Sequence, residues 1–518
     1  MPVIYTDSLS TLRHGDVRDE LRAMPAQSVH CVVTSPPYWA LRDYNLPPSV
    51  WGGSPDCDHQ WGQVERHAKA NDIPGPNSGG KNEHRNTTKE AGQSCRLCGA
   101  WCGCLGLEPT PDLFIAHMTE VLAEVWRVLR DDGVCWINIG DSMFGSGKGQ
   151  NSDGVWNHGM NSAKQATNAG SLTGVPTKGI IPGLKPLDMV GIPWRLAFAL
   201  QAQGWYLRSD VIFHKPNPMP ESVGSWKWEQ HRVKVKAAVE DWREDGRERS
   251  GVVETAVNHV SGGNTGFTGQ RAEWKDCPGC RVCTPNDGLV LRKGAWRPTK
   301  SHEYLFMMTK SPEYYCDMEA VREVGAGRLD LGNMNSPARL NQGGEWTNTE
   351  KVFGGRNRRS VWTIPTQPRP DLHFASFPDA LVEPCILAST SEHGCCPQCG
   401  APYVRVVEVT EEYAAMLGKG WHDHKNDVKE GQKSPPQPPA ERTRTLGWRA
   451  SCGCKDAGEP VPCTVCDPFV GSGTTVQVAK RLVRRGVGID ASETYLREIA
   501  VPRMQGQAAG FQLGGMLD

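Results

Sequence analysis

The 518-residue chain has no surplus of charge: 57 Lys and Arg stand against 58 Asp and Glu, a net charge of −1. No global field draws it to a polyanion, so a nucleic-acid partner has to be met by a local basic surface. It also lacks an apolar run long enough to span a bilayer. Its opening, MPVIYTDSLSTLRHGD, carries no basic stretch followed by an apolar one. These absences predict a cytoplasmic protein with no membrane partner. Apolar residues make up only 38% and the mean hydropathy is −0.49; long polar insertions around a conventional core account for both. Cysteine, by contrast, is plentiful, with 19 in all. A reducing cytosol disfavours a disulfide framework. Many of the thiols fall in close groups, Cys95/Cys98, Cys102/Cys104, Cys277/Cys280/Cys283, Cys396/Cys399 and Cys452/Cys454, a pattern that favours metal over disulfides.

Along the chain, strand and helix patterns alternate between irregular polar segments. DVRDELRAMPAQ reads as a short helix and SVHCVV as a strand, closing a first core segment at residue 45. Residues 46–106 are rich in Gly, Pro, Asn and Cys and read as an insertion. EPTPDLFIAHMTEVLAEVWRVLRDDG (108–133) repeats Phe114, His117, Val121, Val125, Val128 and Leu129 at helical spacing, with Asp131-Asp132-Gly133 as its stop. A strand is predicted at 133–141, a Gly/Ser/Asn-rich loop at 142–180, a helix at 186–205 and a strand at 206–218. Residues 219–295 form a second polar insertion. SHEYLFMMTKS (301–311) and PEYYCD resume the strand pattern, 323–372 is a basic loop, and 379–390 a helix. A third, Cys- and Pro-rich insertion covers 391–460. The core is thus assigned to 1–45, 107–218, 296–390 and 461–518, and the alternation predicts a mostly parallel α/β sheet with helices on both faces.

Two short stretches carry the chemistry. VHCVVTSPPYW (29–39) is an apolar strand broken by Ser35, Pro36, Pro37 and Tyr38; two prolines cannot continue a ladder. Alone, such a corner is more often a turn than a site. The second stretch, CTVCDPFVGSGTTVQVAKRL, ends a strand at Asp467, places Gly471 and Gly473 in a turn, and starts a helix at Thr474. Glycines there admit a ligand close to the backbone, and a helix start offers unpaired N–H groups. The next strand ends in Asp490, at the spacing of a carboxylate that holds ribose hydroxyls. No Gly-Lys-Ser/Thr follows, which excludes a P-loop.

Together, T-S-P-P-Y-W and D-P-F-V-G-S-G-T-T resemble the catalytic and cofactor motifs of S-adenosylmethionine-dependent DNA amino-methyltransferases, in the order of the permuted (β) group. HGD (14–16) sits where that family has an acidic residue, here Asp16, near the cofactor adenine. VIFHKPNPMP (211–220) and HFASFP (373–378) match two further family segments, the latter bringing His373 and Phe374 to the cofactor along with Phe469. The resemblance implies a Rossmann-like mixed sheet of seven strands, one antiparallel, with the strands ending at Ser35 and Asp467 side by side. It further implies that Ser35 and the Pro36 carbonyl each accept a hydrogen of an exocyclic base amine, whose bonds strengthen as the nitrogen is methylated. Pro37 stiffens the corner and Tyr38 stacks on a base flipped out of double-stranded DNA. Ser at position 35 is the pattern of cytosine-N4 enzymes; Asp is usual for adenine-N6 enzymes, which remain the alternative. A zinc-ribbon nucleic-acid-binding protein with an inactive core is the reading from another class. Cytosine-C5 chemistry would need a nucleophilic Cys after Pro, and Cys385 and Cys463 lack the polar loop context.

Cys57, His59, Cys95 and Cys98 form a tetrahedral set by spacing, with Cys102 and Cys104 as alternatives. Cys396, Cys399, Cys452 and Cys454 form another. Cys277, Cys280 and Cys283 offer three ligands, with His231 as a candidate fourth. Structural zinc would replace the apolar core these insertions lack. DNA contacts are expected from Trp226, Trp228, Arg232 and Lys234, from Arg297, and from Arg358 and Arg359. A cognate restriction endonuclease is a further partner class.

Overall fold

The structure is a computed structural model. It describes residues 3–41, 44, 46–62, 92–144, 183–185, 188–218, 224–236, 272–294, 296–323, 357–365, 377–415, 442–455 and 458–506. The expected 142–180 loop, most of the basic loop at 323–372, and His373 and Phe374 lie largely or wholly outside these residues.

One mixed sheet organises the core. Its strands are β1 (Val3–Thr6), β2 (Ser10–His14), β3 (Val29–Thr34), β4 (Leu129–Ile139), β5 (Tyr206–His214), β6 (His302–Thr309), β7 (Val361–Thr363), β8 (Thr464–Asp467) and β9 (Arg485–Asp490). They lie side by side in the order β1-β2-β9-β8-β3-β4-β6-β5-β7. β2, β9, β8, β3 and β4 run parallel, and β6 runs antiparallel to both β4 and β5. Those seven reproduce the expected sheet with its single antiparallel strand. Two edge strands bring the total to nine: β1 folds back on β2 as a hairpin, and β7 adds parallel to β5. The short β7 was unrecognisable in sequence because its three residues sit in a polar, basic stretch.

All six residues of β3 are buried, as expected of a central strand covered on both faces. The covering helices are α1 (Val17–Arg22), α2 (Pro111–Val128), α3 (Ile192–Ala202), α4 (Asp379–Ser389) and α5 (Thr474–Arg481). In α2, Thr110 accepts the Leu113 N–H at 3.2 Å and Pro111 opens the first turn, a strong start signal. Phe114, Met118, Val121, Leu122 and Val125 then form one fully buried face. Each such side chain contributes about 1.5–3 kcal/mol, and Phe114→Ala would cost about 3–5 kcal/mol.

α2 ends at Val128, five residues before the predicted stop, and β4 begins at once with Leu129. Asp131, Asp132 and Gly133 lie within that strand. Leu129 pairs with Val29, and Arg130 binds both oxygens of Asp132 at 2.8 Å. The pairing with β3 shifts register between Leu129 and Val134, so the charged run is an irregular stretch of extended chain inside the strand rather than a turn that ends the helix. PEYYCD is likewise not a strand. Among the described residues no helix is long and apolar enough to cross a membrane.

Candidate active site

The carboxyl ends of β3 and β8 bring the two motifs together. Val465 and Cys466 pair with Cys31 and Val32, and the Thr34 hydroxyl donates to Asp467 Oδ1 at 2.7 Å across 433 residues of sequence. Asp467 also accepts from the Thr475 hydroxyl at 2.7 Å and the Phe469 N–H at 3.1 Å. Burial pushes its carboxyl up to about 6 against these bonds. Asp467 does not line the adjoining cavity. It pins the glycine loop to the catalytic strand, and neither of its threonine partners was singled out from sequence.

The loop itself matches expectation. Gly471 (φ 47°) and Gly473 (φ 83°) occupy the left-handed region that favours glycine, and α5 starts at Thr474. Asp490, at the end of β9, accepts the Gly471 N–H at 2.9 Å and the Ser492 N–H at 2.8 Å, while burial raises its pKa.

A cavity of about 170 Å³ lies against this loop, lined by Ser35, Pro37, Phe469, Gly471, Thr474 and Asp490 among others. Asp16 borders it too. Its carboxyl caps α1 and binds the Arg18 guanidinium at 2.9 Å; although burial opposes it, this partner keeps the pKa low. The first insertion also lines the cavity, through Leu46, Ser49, Trp51, Gly103 and Leu105. That lining had no sequence signal, because the segment reads as a loop.

The corner after β3 is tightly held. Pro36 is buried, the Ala40 N–H donates to Gly106 O at 2.8 Å, and Trp39 Nε1 donates to Glu108 O at 2.9 Å. Ser35 Oγ lies 3.4 Å from Tyr38 Oη. Tyr38 Oη donates to Glu303 Oε2 at 3.0 Å and accepts from Asn138 Nδ2 at 2.9 Å; Lys215 Nζ binds Glu303 Oε1. Burial, and then the Glu303 charge, push the Tyr38 phenol well up. Asn138 is the polar residue in the run Val134–Ile139 of β4, and Glu303 is the charged residue of the largely apolar β6. That interruption was the signal that could have marked them.

Among the described residues, three four-residue groups could each hold a metal ion: Cys57, His59, Cys95 and Cys98; His231, Cys277, Cys280 and Cys283; Cys396, Cys399, Cys452 and Cys454. Within each, the ligand atoms lie within 4.8 Å of one another. Cys102 lies in a strand and Cys104 Sγ is directed to Leu46 O at 3.1 Å, so neither belongs to the first set. Four clustered thiol and imidazole ligands with no fifth position left for water fit a closed tetrahedral ion. His30, Cys395 and Cys463 make a fourth, buried group. There His30 Nδ1 accepts the Thr464 N–H at 3.0 Å, so Nε2 carries the proton and donates to Gly400 O at 2.8 Å. With both nitrogens engaged, this group serves as a hydrogen-bonded clamp between the third insertion and the core. Cys385 and Cys463 are buried thiols whose pKa values are raised, Cys385 by burial and Cys463 first by Cys395 and then by burial; neither is a nucleophile.

Of the expected DNA residues, Trp228 (53% exposed) stands out from a two-stranded sheet and Trp226 (61%) lies just before its first strand, with Lys293 Nζ 4.9 Å over the Trp226 ring. Arg232 pairs with Asp276, and Lys234 lies in the neighbouring strand pair. Arg297 donates to Pro298 O. Arg359 instead binds Glu323 at 3.2 Å and Arg358 covers Trp362 at 4.5 Å, so those two charges are engaged within the protein.

A glycine loop and a Ser-Pro-Pro-Tyr corner meeting across parallel strands of a mixed α/β sheet define an amino-methyltransferase class of enzyme. The chain belongs to the DNA methylase family whose model matches residues 29–396 and 463–501, enzymes that methylate N4 of cytosine or N6 of adenine. It is 32% identical over 382 residues to the Type II methyltransferase M.Cfr9I of Citrobacter freundii, covering 74% of this chain and 73% of that one. Identity to the Type II methyltransferase M.SmaI of Serratia marcescens is 27% over 382 residues, covering 73% and 75%. Among solved structures, the cytosine-N4-specific PvuII DNA methyltransferase aligns over 98% of this chain and 90% of its own, at 11% identity and a TM-score of 0.40.

Proposed function

We propose that this enzyme methylates N4 of cytosine within a specific duplex sequence, using S-adenosylmethionine, in a restriction-modification setting. Ser35 at the cavity wall carries the reading, since Ser rather than Asp opens the Pro-Pro-Tyr corner. An exocyclic amine is a poor nucleophile because its lone pair is delocalised into the ring. Ser35 Oγ and the Pro36 carbonyl would each accept one amino hydrogen, and both bonds strengthen as the nitrogen becomes tetrahedral. Tyr38 offers its ring to the flipped base. Asp490, Asp16, Phe469 and the glycine loop, which line the cavity, would hold S-adenosylmethionine, and the bound cofactor would supply the methyl group.

The three four-ligand groups would hold structural zinc, stapling the insertions at 46–106, 219–295 and 391–460. Trp226, Trp228 and Lys293 of the second insertion, and Arg297 just after it, would supply stacking and phosphate contacts. Mass spectrometry of nucleosides from DNA treated with the enzyme tests the reading. N4-methylcytosine is expected, and N6-methyladenine would refute the choice of base.

A further inference from the structure

Around the corner, Ser35, Tyr38 and Glu303 form a continuous chain of oxygen atoms. Ser35 Oγ is 3.4 Å from Tyr38 Oη, which is 3.0 Å from Glu303 Oε2. Asn138 Nδ2 spans the junction, donating to Tyr38 Oη at 2.9 Å and Glu303 Oε2 at 3.1 Å. Lys215 occupies the other carboxylate oxygen, Oε1, so Oε2 is the one turned toward Tyr38. The two ends of the chain differ in setting. Ser35 borders the cavity, whereas the Glu303 side chain keeps 18% of its surface in solvent. Asn138, by contrast, is only 3% exposed. A buried carboxamide, a lysine and a carboxylate around one phenol is an expensive arrangement if the phenol serves only as a flat surface. A phenylalanine would stack as well without it.

We infer that Ser35, Tyr38 and Glu303 form a proton-exit relay for the target amine, with Asn138 and Lys215 as positioning residues. The inference rests on the methyltransferase reading of this site and holds for either base. As the C–N bond forms, the methyl carbon's bond to sulfur breaks and its electron pair stays on sulfur, leaving a neutral thioether and a positively charged amine. The amine proton passes to Ser35 Oγ, the Ser35 proton to Tyr38 Oη, and the Tyr38 proton to Glu303 Oε2. Serine and tyrosine end unchanged, and the carboxylic acid releases its proton to solvent at the exposed edge. Positive charge developing on the amine is thereby coupled to a carboxylate that never touches the base.

The test uses full-length enzyme in excess over unmethylated plasmid DNA that the wild type labels, with tritiated methyl donor, in a single turnover. Glu303→Gln keeps the shape and removes the acceptor; Tyr38→Phe keeps the ring and removes the hydroxyl. Each is expected to slow transfer about 100-fold while cofactor affinity by calorimetry and DNA affinity by filter binding stay at wild-type values. Because the relay acts as a unit, Tyr38→Phe/Glu303→Gln should be no slower than the slower single variant. A Glu303→Gln rate within threefold of wild type overturns the relay. So does a double-variant loss equal to the product of the two single losses. Failure of the wild type to label any DNA would instead sink the methyltransferase reading, and the identity of the methylated base is read separately from the same DNA.

Discussion

Gly140 lies at the end of β4, directly behind the catalytic tyrosine, and Gly140→Ala probes the corner without touching any polar group. A Cβ there would lie 2.7 Å from Tyr38 Cε2 and 3.2 Å from Cδ2. Carbon atoms settle at about 3.5–4.0 Å, so the ring has to withdraw by roughly 1 Å. Backbone strain plays no part, since Gly140 is not among the residues with positive φ. Overpacking of this kind costs about 1–3 kcal/mol of stability. The effect on rate should be larger than that suggests, because roughly 1 Å of misplacement at a reacting centre can cost about 100-fold. The same shift also lengthens the 3.0 Å bond from Tyr38 to Glu303. Single-turnover methyl transfer, measured beside calorimetric cofactor binding, should show about a 100-fold loss of rate with the cofactor affinity retained. The cofactor loop lies on β8 and α5, away from Gly140, which is why the two readouts should separate. A Gly140→Ala enzyme that transfers methyl groups within a few-fold of wild type would refute this account of how Tyr38 is held.

Ser35→Ala should abolish transfer and leave cofactor binding nearly intact; lost cofactor binding would refute the amine-holding role. Asp467 keeps its proton up to about 6 in the native protein, against 3.8 for an ordinary Asp. Its contribution to stability is therefore present at low pH and lost as pH rises from about 4 through 6, by about 3 kcal/mol. In parallel urea titrations the wild type should lose about that much stability relative to Asp467→Asn as pH rises from about 4 through 6, and a pH-independent difference would contradict it. Metal analysis should give three zinc ions per chain, from the three four-ligand groups, and chelation should weaken cofactor binding because the first insertion walls the cavity. Unchanged affinity in the stripped enzyme would show that the wall stands without metal. Trp226→Ala should weaken DNA binding by about 1–3 kcal/mol in a filter-binding assay and spare cofactor binding; equal DNA affinity would place Trp226 outside the interface.

The strands and helices that bear the two motifs were legible because their signals are local. A buried β-branched run ended by two prolines, and a strand followed by glycines at a helix start, each announce themselves within a dozen residues. The metal groups were legible for the same reason, His231 being the one ligand that needed the fold to join it to Cys280 at 3.5 Å. What escaped was set by pairing across the sheet. The α2–β4 boundary depends on Leu129 meeting Val29, which no helical periodicity records. Glu303 and Asn138 matter because β6 runs antiparallel beside β4, bringing two isolated polar residues to one phenol. Arg358 and Arg359 are expected phosphate ligands whose intramolecular neighbours, Trp362 and Glu323, only the fold shows.

The Thr34–Asp467 bond has a consequence for how the protein is made. The catalytic strand leaves the ribosome 433 residues before its hydrogen-bonding neighbour, which at about 5–20 residues per second is a wait of roughly 20 to 90 s. For that time β2 and β3 each present an open edge where β9 and β8 will later insert, the kind of unpaired strand that invites aggregation. The ligand groups of the insertions, each drawn from one contiguous segment, can close during the same interval. The site thus completes only with about the last tenth of the 518 residues, when the last two parallel strands, β8 from Thr464 and β9 from Arg485, slot into the middle of a sheet already waiting for them.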